Sequence, residues 1–404
     1  MRGAGSISVA RRIAGLSEAQ TLGMAQRVRD LRASGKKVVS LLLGEPDFPV
    51  PLPLQEAAIA AIREGHAPYP PVAGLPALRE AIADYYHQRY GLPFSASQVV
   101  VSNGSKQSIF NALLSLLEPG EEVLVPAPYW VSYLPLIQLT EAKPVIIPTS
   151  AEEGYKLTPE KLLAHLRPET RALILCSPSN PTGAAYTATE LAALAEVLEK
   201  HPQVWVLSDE IYELVRYEGS SVSPAQLPSL YERTLICNGF SKAFAMPGWR
   251  LGYLIAPDPI AQAAIKVQGQ TTAGANTPAQ KAALSGLRSD IAALVNPMIS
   301  AFRERRDFIY GYLRTHLPEV KPYLPVGAFY FFLDISAFLG RRTPEGDLLP
   351  SADEITEYLL KEGVAVVSGT AFGSENHIRL SYAVALPDIQ EGLTLMTQAL
   401  RALA

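Results

Sequence analysis

The sequence predicts an α/β fold, a mainly parallel sheet covered by helices on both faces, followed by a smaller α+β domain. Two observations carry the first part. Short β-branched apolar runs alternate with longer amphipathic segments up to about residue 300, and strands interleaved with helices at that spacing build a parallel sheet buried on both sides. The runs are also followed, one after another, by polar, turn-forming or aromatic segments. The third observation concerns the remainder. From about residue 301 a charged helix (AFRERRDFIYGYL) is followed by AFYFFLDI, a polar loop GRRTPEGDLLPS, a helix and VAVVSG, which breaks the alternation.

In chain order, residues 54–64 (LQEAAIAAIRE) and 75–90 (LPALREAIADYYHQRY) have helical periodicity and good helix formers. A strand is expected at 98–101 (QVVV). The turn SNGSKQ then opens a helix with Ile109, Leu113, Leu116 and Leu117 on one side. Strands follow at 122–126 (EVLVP) and 172–176 (ALILC), a helix at 189–201, and strands at 204–208 (VWVLS), 234–237 (TLIC) and 251–256 (LGYLIA). The helix of the second region is expected at 351–363. No internal repeat interrupts the pattern.

With 404 residues, 48% hydrophobic and 18% charged, the chain can bury a large core. Its 35 basic and 39 acidic residues leave a net charge of -4, which argues against nucleic acid or an anionic membrane as the main partner. Two cysteines, Cys176 and Cys237, form neither a disulfide framework nor a metal site, and fit a reducing, cytoplasmic compartment. No apolar run approaches the roughly 18 residues that span a bilayer. The start carries Arg2, Arg11 and Arg12 with no acid before Glu18, and reads as a basic arm rather than a targeting segment.

In an open parallel sheet, ligands collect at the carboxyl ends of the strands. The segments found there are SNGSKQS, APYW, SPSNPTG, DEIY and NGFSK. Gly104 permits a tight turn, and the N–H groups of Ser105 and Lys106 opening the next helix could hold a phosphate; a glycine before a helix is also common without a ligand. No Walker A loop or G-x-G-x-x-G after a strand occurs. Asp209 and Glu210 directly follow VWVLS, where a carboxylate can hold a protonated ring nitrogen, with Tyr212 offering a phenol nearby; a solvated loop acid is the alternative. Pro181 and Gly183 set a turn that Asn180 could merely cap, and Trp130 could be ordinary core. Lys242 stands between Ser241 and the Pro247-Gly248 turn before Arg250. A lysine desolvated among cationic and apolar neighbours becomes a nucleophile or Schiff-base former, whereas an isolated lysine normally faces solvent.

These motifs, in this order and spacing, resemble the class I aminotransferases, which are fold-type I pyridoxal-phosphate enzymes. The resemblance runs from LGEPDF (43–48) through YPPVAGLPALREAI, SNGSKQ, PAPYWVSY, SPSNPTG, SDEIYE, SKAFAMPGWRLGY, GAFYFF and GVAVVSGTAFG to HIRLSYA (377–383). Within the class it is most similar to bacterial aspartate aminotransferases of the branch that also contains prephenate aminotransferases. It implies a large domain with a mainly parallel seven-stranded sheet sandwiched by helices, plus a smaller α+β domain. Residues 1–49 would form an N-terminal arm and part of the small domain, 50–300 the large cofactor-binding domain, and 301–404 the small domain.

The resemblance further implies pyridoxal 5'-phosphate as cofactor, with Lys242 as Schiff-base lysine and proton shuttle and Asp209 on the pyridine nitrogen. Tyr212 and Asn180 would bond the ring's 3-oxygen, and Trp130 would stack on the ring. Ser105, Lys106 (through its backbone), Ser241 and Arg250 would hold the phosphate. Tyr69 would reach the phosphate of a neighbouring subunit, implying a homodimer with shared sites. Arg379 would take the substrate α-carboxylate through a bidentate pair, with Gly44 backbone beside it. Lys106 would meet the distal carboxylate of aspartate, or else face solvent as a first-turn lysine. The stretch KVQGQTTAGANTPAQ (266–280) has no arginine for that task. LSEAQTL (16–22), with Ser17 and Glu18, departs from the basic residue and Pro-Ser of prephenate-using relatives.

Aspartate is therefore the expected amino donor and 2-oxoglutarate the acceptor, by a ping-pong mechanism. An aromatic, alanine or prephenate aminotransferase is the alternative, and a lyase or decarboxylase on the same scaffold a more distant one. A non-enzymatic regulator would need a basic DNA-binding module ahead of residue 40, for which the sequence leaves no room.

Overall fold

A computed structural model describes residues 9–16, 20–65 and 68–404. The extreme N-terminal arm and the Ser17 and Glu18 positions lie outside the described residues. At the centre is a seven-stranded sheet of β1 (Val99–Ser102), β2 (Glu122–Ala127), β3 (Lys143–Pro148), β4 (Thr170–Cys176), β5 (Trp205–Asp209), β6 (Thr234–Gly239) and β7 (Gly252–Ile255). Across the sheet the order is β1-β7-β6-β5-β4-β2-β3. Pairing is parallel from β3 to β6. It is antiparallel on both sides of β7, so β1 again runs with the parallel set. All strands but β7 thus point their carboxyl ends to one edge.

The inner strands are apolar on both faces because helices cover both. Val100, Leu124, Leu173, Leu207, Leu235 and Leu254 are fully buried, each worth about 1.5–3 kcal/mol by area. The sheet mixes directions as expected, with one strand more than the six runs picked out above. β3 reads KPVIIP; its prolines and exposed residues suit the sheet edge it occupies and mask it as a strand in sequence.

The long helix of the C-terminal region runs Ile291–His316, so it starts well before residue 301 and carries the expected domain boundary inside it. Asp290 caps it by accepting from the Ala293 N–H. Pro297 reads as a break because it removes one helical hydrogen bond. Burial of Val295, Met298 and Phe302 holds the turns around it.

Beyond this helix, β8 (Tyr330–Asp334), β9 (Val367–Ser368) and β10 (His377–Ser381) form an antiparallel sheet in the order β9-β10-β8. The segment around residues 39–41 joins this region. Val39–Ser40 pairs in parallel with Val364–Ala365, and the Ser381 N–H donates to the Leu41 carbonyl. That pairing lays Leu42, Leu43 and Gly44 along the end of β10.

Candidate active site

The carboxyl edge of the large sheet opens onto a cavity of about 560 Å³. It is lined by Gly44, Ser105, Lys106, Trp130, Asn180, Asp209, Tyr212, Ser241, Lys242, Arg250 and Arg379. The structure therefore gathers the expected site residues with one exception. Tyr69 does not line the cavity of its own chain and is 95% exposed. A larger hollow of about 920 Å³ between the Pro76–Tyr90 and Ile291–His316 helices contains none of these residues. The smaller cavity is the candidate site because it brings together buried polar groups whose partners are missing.

Lys242 follows β6 and stands half-buried against the rings of Tyr212 and Phe329, 5.8 and 5.9 Å from their centroids. Its Nζ donates to the Gly44 carbonyl at 2.5 Å. Burial pushes the amine down to about 8; Glu45 opposes the shift, Arg379 and Arg250 reinforce it, and Asp209 opposes it. Asp209 ends β5 and is buried. Its Oδ2 accepts from the Tyr133 hydroxyl at 2.6 Å and its Oδ1 from the Ile211 N–H at 3.3 Å. Burial raises its carboxyl to about 6 against the pull of those bonds and of Lys242. A carboxylate held this way, with Lys242 acting on it only at a distance and no ion pair among the described residues, would gain from an adjacent cation.

At one end of the cavity lies a ring of donors. Gly104 has φ +90°, which a side chain would strain, and it starts the helix Ser105–Leu116. The buried Ser105 Oγ has no hydrogen-bond partner among the described residues. Arg250, itself at φ +52°, donates through Nη1 to the Pro247 carbonyl at 2.9 Å, and its guanidinium covers the space a Gly104 side chain would need. Helix N–H groups, hydroxyls and a guanidinium converging in this way suit a phosphate.

Elsewhere in the cavity wall Arg379, on β10, is only 4% exposed. Its Nη1 donates to Asn180 Oδ1 at 3.0 Å and its Nη2 to the Leu42 carbonyl at 2.6 Å, while its buried Nε has no partner. Its guanidinium lies 4.5 Å from the Tyr330 centroid and 4.9 Å from that of Phe372. No carboxylate pairs with it among the described residues, and burial lowers its proton affinity. A buried arginine without an anion is costly unless a ligand supplies one.

A family model described as aminotransferase class I and II matches residues 36–394. This chain belongs to that family. Relatives cover nearly all of it. A bifunctional aspartate aminotransferase and glutamate/aspartate-prephenate aminotransferase from Petunia hybrida is 44% identical over 98% of this chain and 83% of its own length. An aspartate/prephenate aminotransferase from Cereibacter sphaeroides is 43% identical over 92% of this chain and 94% of its own. Among solved structures, the aspartate aminotransferase of Rhizobium meliloti superposes with a TM-score of 0.95 at 38% identity, covering 99% of this chain and 100% of that one. The Thermus thermophilus aspartate aminotransferase with maleate gives 0.91 at 37%, with the same coverage.

The chain is thus an aminotransferase of fold type I, and family membership implies dependence on pyridoxal 5'-phosphate. In this aminotransferase three groups escaped the motif reading, two in the cavity wall (Tyr330 and Glu45) and one bonded to it from behind (Tyr133). Tyr133 bonds Asp209, Tyr330 shares a hydroxyl contact of 2.8 Å with Tyr212, and Glu45 faces Lys242 electrostatically. Each stands inside a quoted motif (PAPYWVSY, GAFYFF, LGEPDF), but their pairings cross about 75 to 200 residues and leave no periodic signal. Lys106 is exposed and lines the cavity, with its Nζ 5.1 Å from the Trp130 centroid. Although the residue as a whole is exposed, desolvation of its amine at the cavity wall and then Arg250 lower its proton affinity.

Proposed function

We propose that this aminotransferase transfers the amino group of aspartate, its preferred L-amino acid donor, to 2-oxoglutarate in a ping-pong cycle. One observation carries the donor assignment. Two cations that line a single cavity with Lys242, Arg379 and Lys106, have no carboxylate partner among the described residues, and a dicarboxylate supplies two. Arg379 would take the α-carboxylate beside Gly44, and Lys106 the distal one.

The residues present fit pyridoxal 5'-phosphate. The partnerless Ser105 hydroxyl, Ser241, Arg250 and the first helical N–H groups suit its phosphate. Asp209 suits a protonated ring nitrogen, Trp130 the ring face, and Lys242 the aldehyde carbon. Because Asn180 Oδ1 already accepts from Arg379, its Nδ2 hydrogens are left to donate to the 3-oxygen. Tyr330 can donate to Tyr212 across their contact, which leaves the Tyr212 proton for the same oxygen. When bound, the cofactor supplies an electron-poor ring that takes up the electron pair released at the substrate Cα. Lys242 would be the base that takes the substrate Cα proton, holds it on Nζ and gives it up again on the same side of the cavity. A base near pH 8 is matched to this task. Asp209 keeps the ring nitrogen protonated, and Arg379 fixes the orientation of Cα.

A homodimer in the cytoplasm is part of this reading. Tyr69 is exposed and stands outside its own cavity, and Leu52, Ile59 and Ile62 leave an apolar stripe exposed on the helix Leu52–Arg63, suited to a second copy. Residues 1–49 would work with 301–404 as the small domain, supported by the pairing of Val39–Ser40 with Val364–Ala365. The likeness to the Petunia and Cereibacter prephenate aminotransferases supports prephenate as a second oxo-acid substrate.

Steady-state kinetics with aspartate, glutamate, phenylalanine, alanine and prephenate test the assignment. Aspartate with 2-oxoglutarate should give the highest kcat/KM, with parallel double-reciprocal lines. Faster turnover of phenylalanine or alanine would replace aspartate as donor. Formation of a product other than oxaloacetate from aspartate alone would indicate a lyase. The variant Lys242→Ala should lose both turnover and the visible absorbance of the lysine-bound cofactor; retention of both would refute the site.

A further inference from the structure

Gln268 is fully buried in the helix Asp258–Thr271, outside the candidate cavity. A primary amide can donate two hydrogen bonds and accept two, and this one uses its whole capacity. Nε2 donates to the Val72 carbonyl at 2.6 Å and to the Val101 carbonyl at 2.8 Å, while Oε1 accepts from Ser102 Oγ at 2.6 Å and from Asn111 Nδ2 at 3.1 Å. The two carbonyls on one side and the two donors on the other allow only one orientation of the amide.

Those four partners belong to the two segments that bear on the phosphate. Val101 and Ser102 end β1 just ahead of Gly104 and Ser105, and Asn111 lies in the helix that Ser105 begins. Val72 lies in the loop that carries Tyr69. The same loop is pinned from two further directions. The Val101 N–H donates to the Ala73 carbonyl, and Gly274 packs so closely on the carbonyls of Pro70 and Pro71 that a side chain there would collide with them. Without Gln268, a buried carbonyl (Val101), a half-buried one (Val72), a hydroxyl and an amide would lose these bonds, and the segments would lose their common partner.

We propose that Gln268 is a positioning residue that locks the phosphate-binding turn 102–105 and the Tyr69 loop into one rigid unit. One side chain then sets both the phosphate contacts made within a chain and the tyrosine offered to the neighbouring subunit. This rests on the proposed cofactor site and goes beyond it, because Gln268 touches neither cofactor nor substrate.

The test compares full-length Gln268→Met with the unaltered protein, using the dissociation constants of pyridoxal 5'-phosphate and of pyridoxal, which lacks the phosphate. The ³¹P resonance of the bound cofactor in the holoenzyme is a second readout. Positioning predicts about a tenfold weaker hold on pyridoxal 5'-phosphate, as expected for loss of one well-made contact, with pyridoxal affinity unchanged and the ³¹P resonance moved. Equal weakening of both ligands, or no change in either, would overturn the proposal, since a purely structural loss cannot discriminate by phosphate. Ser102→Ala removes one of the four bonds, and it decides the matter by the same comparison if Gln268→Met does not fold; the shift should be smaller and in the same direction. An unaltered protein that bound both ligands equally would instead refute the phosphate site itself.

Discussion

At the scale of single residues, the proposed site is a set of charges that lack partners among the described residues and that a ligand would supply. Arg379 shows this most clearly. Its two terminal nitrogens are fixed by Asn180 and Leu42 while its Nε stays unmatched, so its planar face is set before any substrate arrives. Lysine keeps the charge but not the fork. Arg379→Lys should therefore lower kcat/KM for aspartate by about a hundredfold, within the range for removing one side of a buried charged pair, and a substrate titration reads it. Lys242 allows a prediction of pH dependence. Its amine is held down to about 8 by burial, against an ordinary value of 10.5. Between those values the unfolded chain binds the extra proton, so the stability of the cofactor-free protein gains from rising pH. Urea unfolding at pH 8 and pH 10 should show this gain in the native chain and its absence in Lys242→Met, after subtraction of the background common to both.

At the scale of elements, the strands and the turns that follow them were readable in sequence because each turn residue has a local reason to be there. Gly104 is needed for its positive φ, and Gly252 for contact. A side chain at Gly252 would run into the backbone of Gly104 and Ser105, because β7 supports from behind the start of the helix proposed to hold the phosphate. Gly252→Ala should weaken cofactor affinity more than it lowers thermal stability, with about 1–3 kcal/mol of overpacking cost to absorb; cofactor titration and thermal unfolding give the two numbers. Other elements were hidden for equally physical reasons. The edge strand Lys143–Pro148 has prolines where a strand signal is sought, and Pro297 concealed the continuity of the long helix. Tyr133 and Glu45 could be seen as letters in motifs, but what they face is decided by strand order and loop packing, which a linear pattern does not encode.

At the scale of the whole molecule, the end of the cavity proposed to take the substrate carboxylate is assembled from segments far apart in the chain, around residues 44, 180 and 379. Arg305, on the long helix Ile291–His316, joins two of them. Its Nη1 and Nη2 donate to the two Asp47 oxygens at 2.7 and 2.9 Å, and Nη1 also donates to the Tyr382 carbonyl at 3.2 Å. The guanidinium lies 5.4 Å from the centroids of both Phe48 and Phe302. Asp47 and Phe48 follow Gly44, and Tyr382 follows Arg379, so this one side chain holds the Gly44 loop against the strand that carries Arg379. The end of the cavity proposed to hold the phosphate, around Ser105, Ser241 and Arg250, is built from neither segment. Arg305→Ala should consequently raise KM for aspartate by about tenfold, the loss expected from one charge-assisted bidentate contact of half-buried groups, while cofactor affinity stays unchanged. Asp47→Ala should have the same effect and the double variant no more than either alone, because both remove the same link. Equal loss of cofactor and substrate affinity would mean that Arg305 stabilises the fold at large, and the two ends of the cavity would then not be mechanically separate.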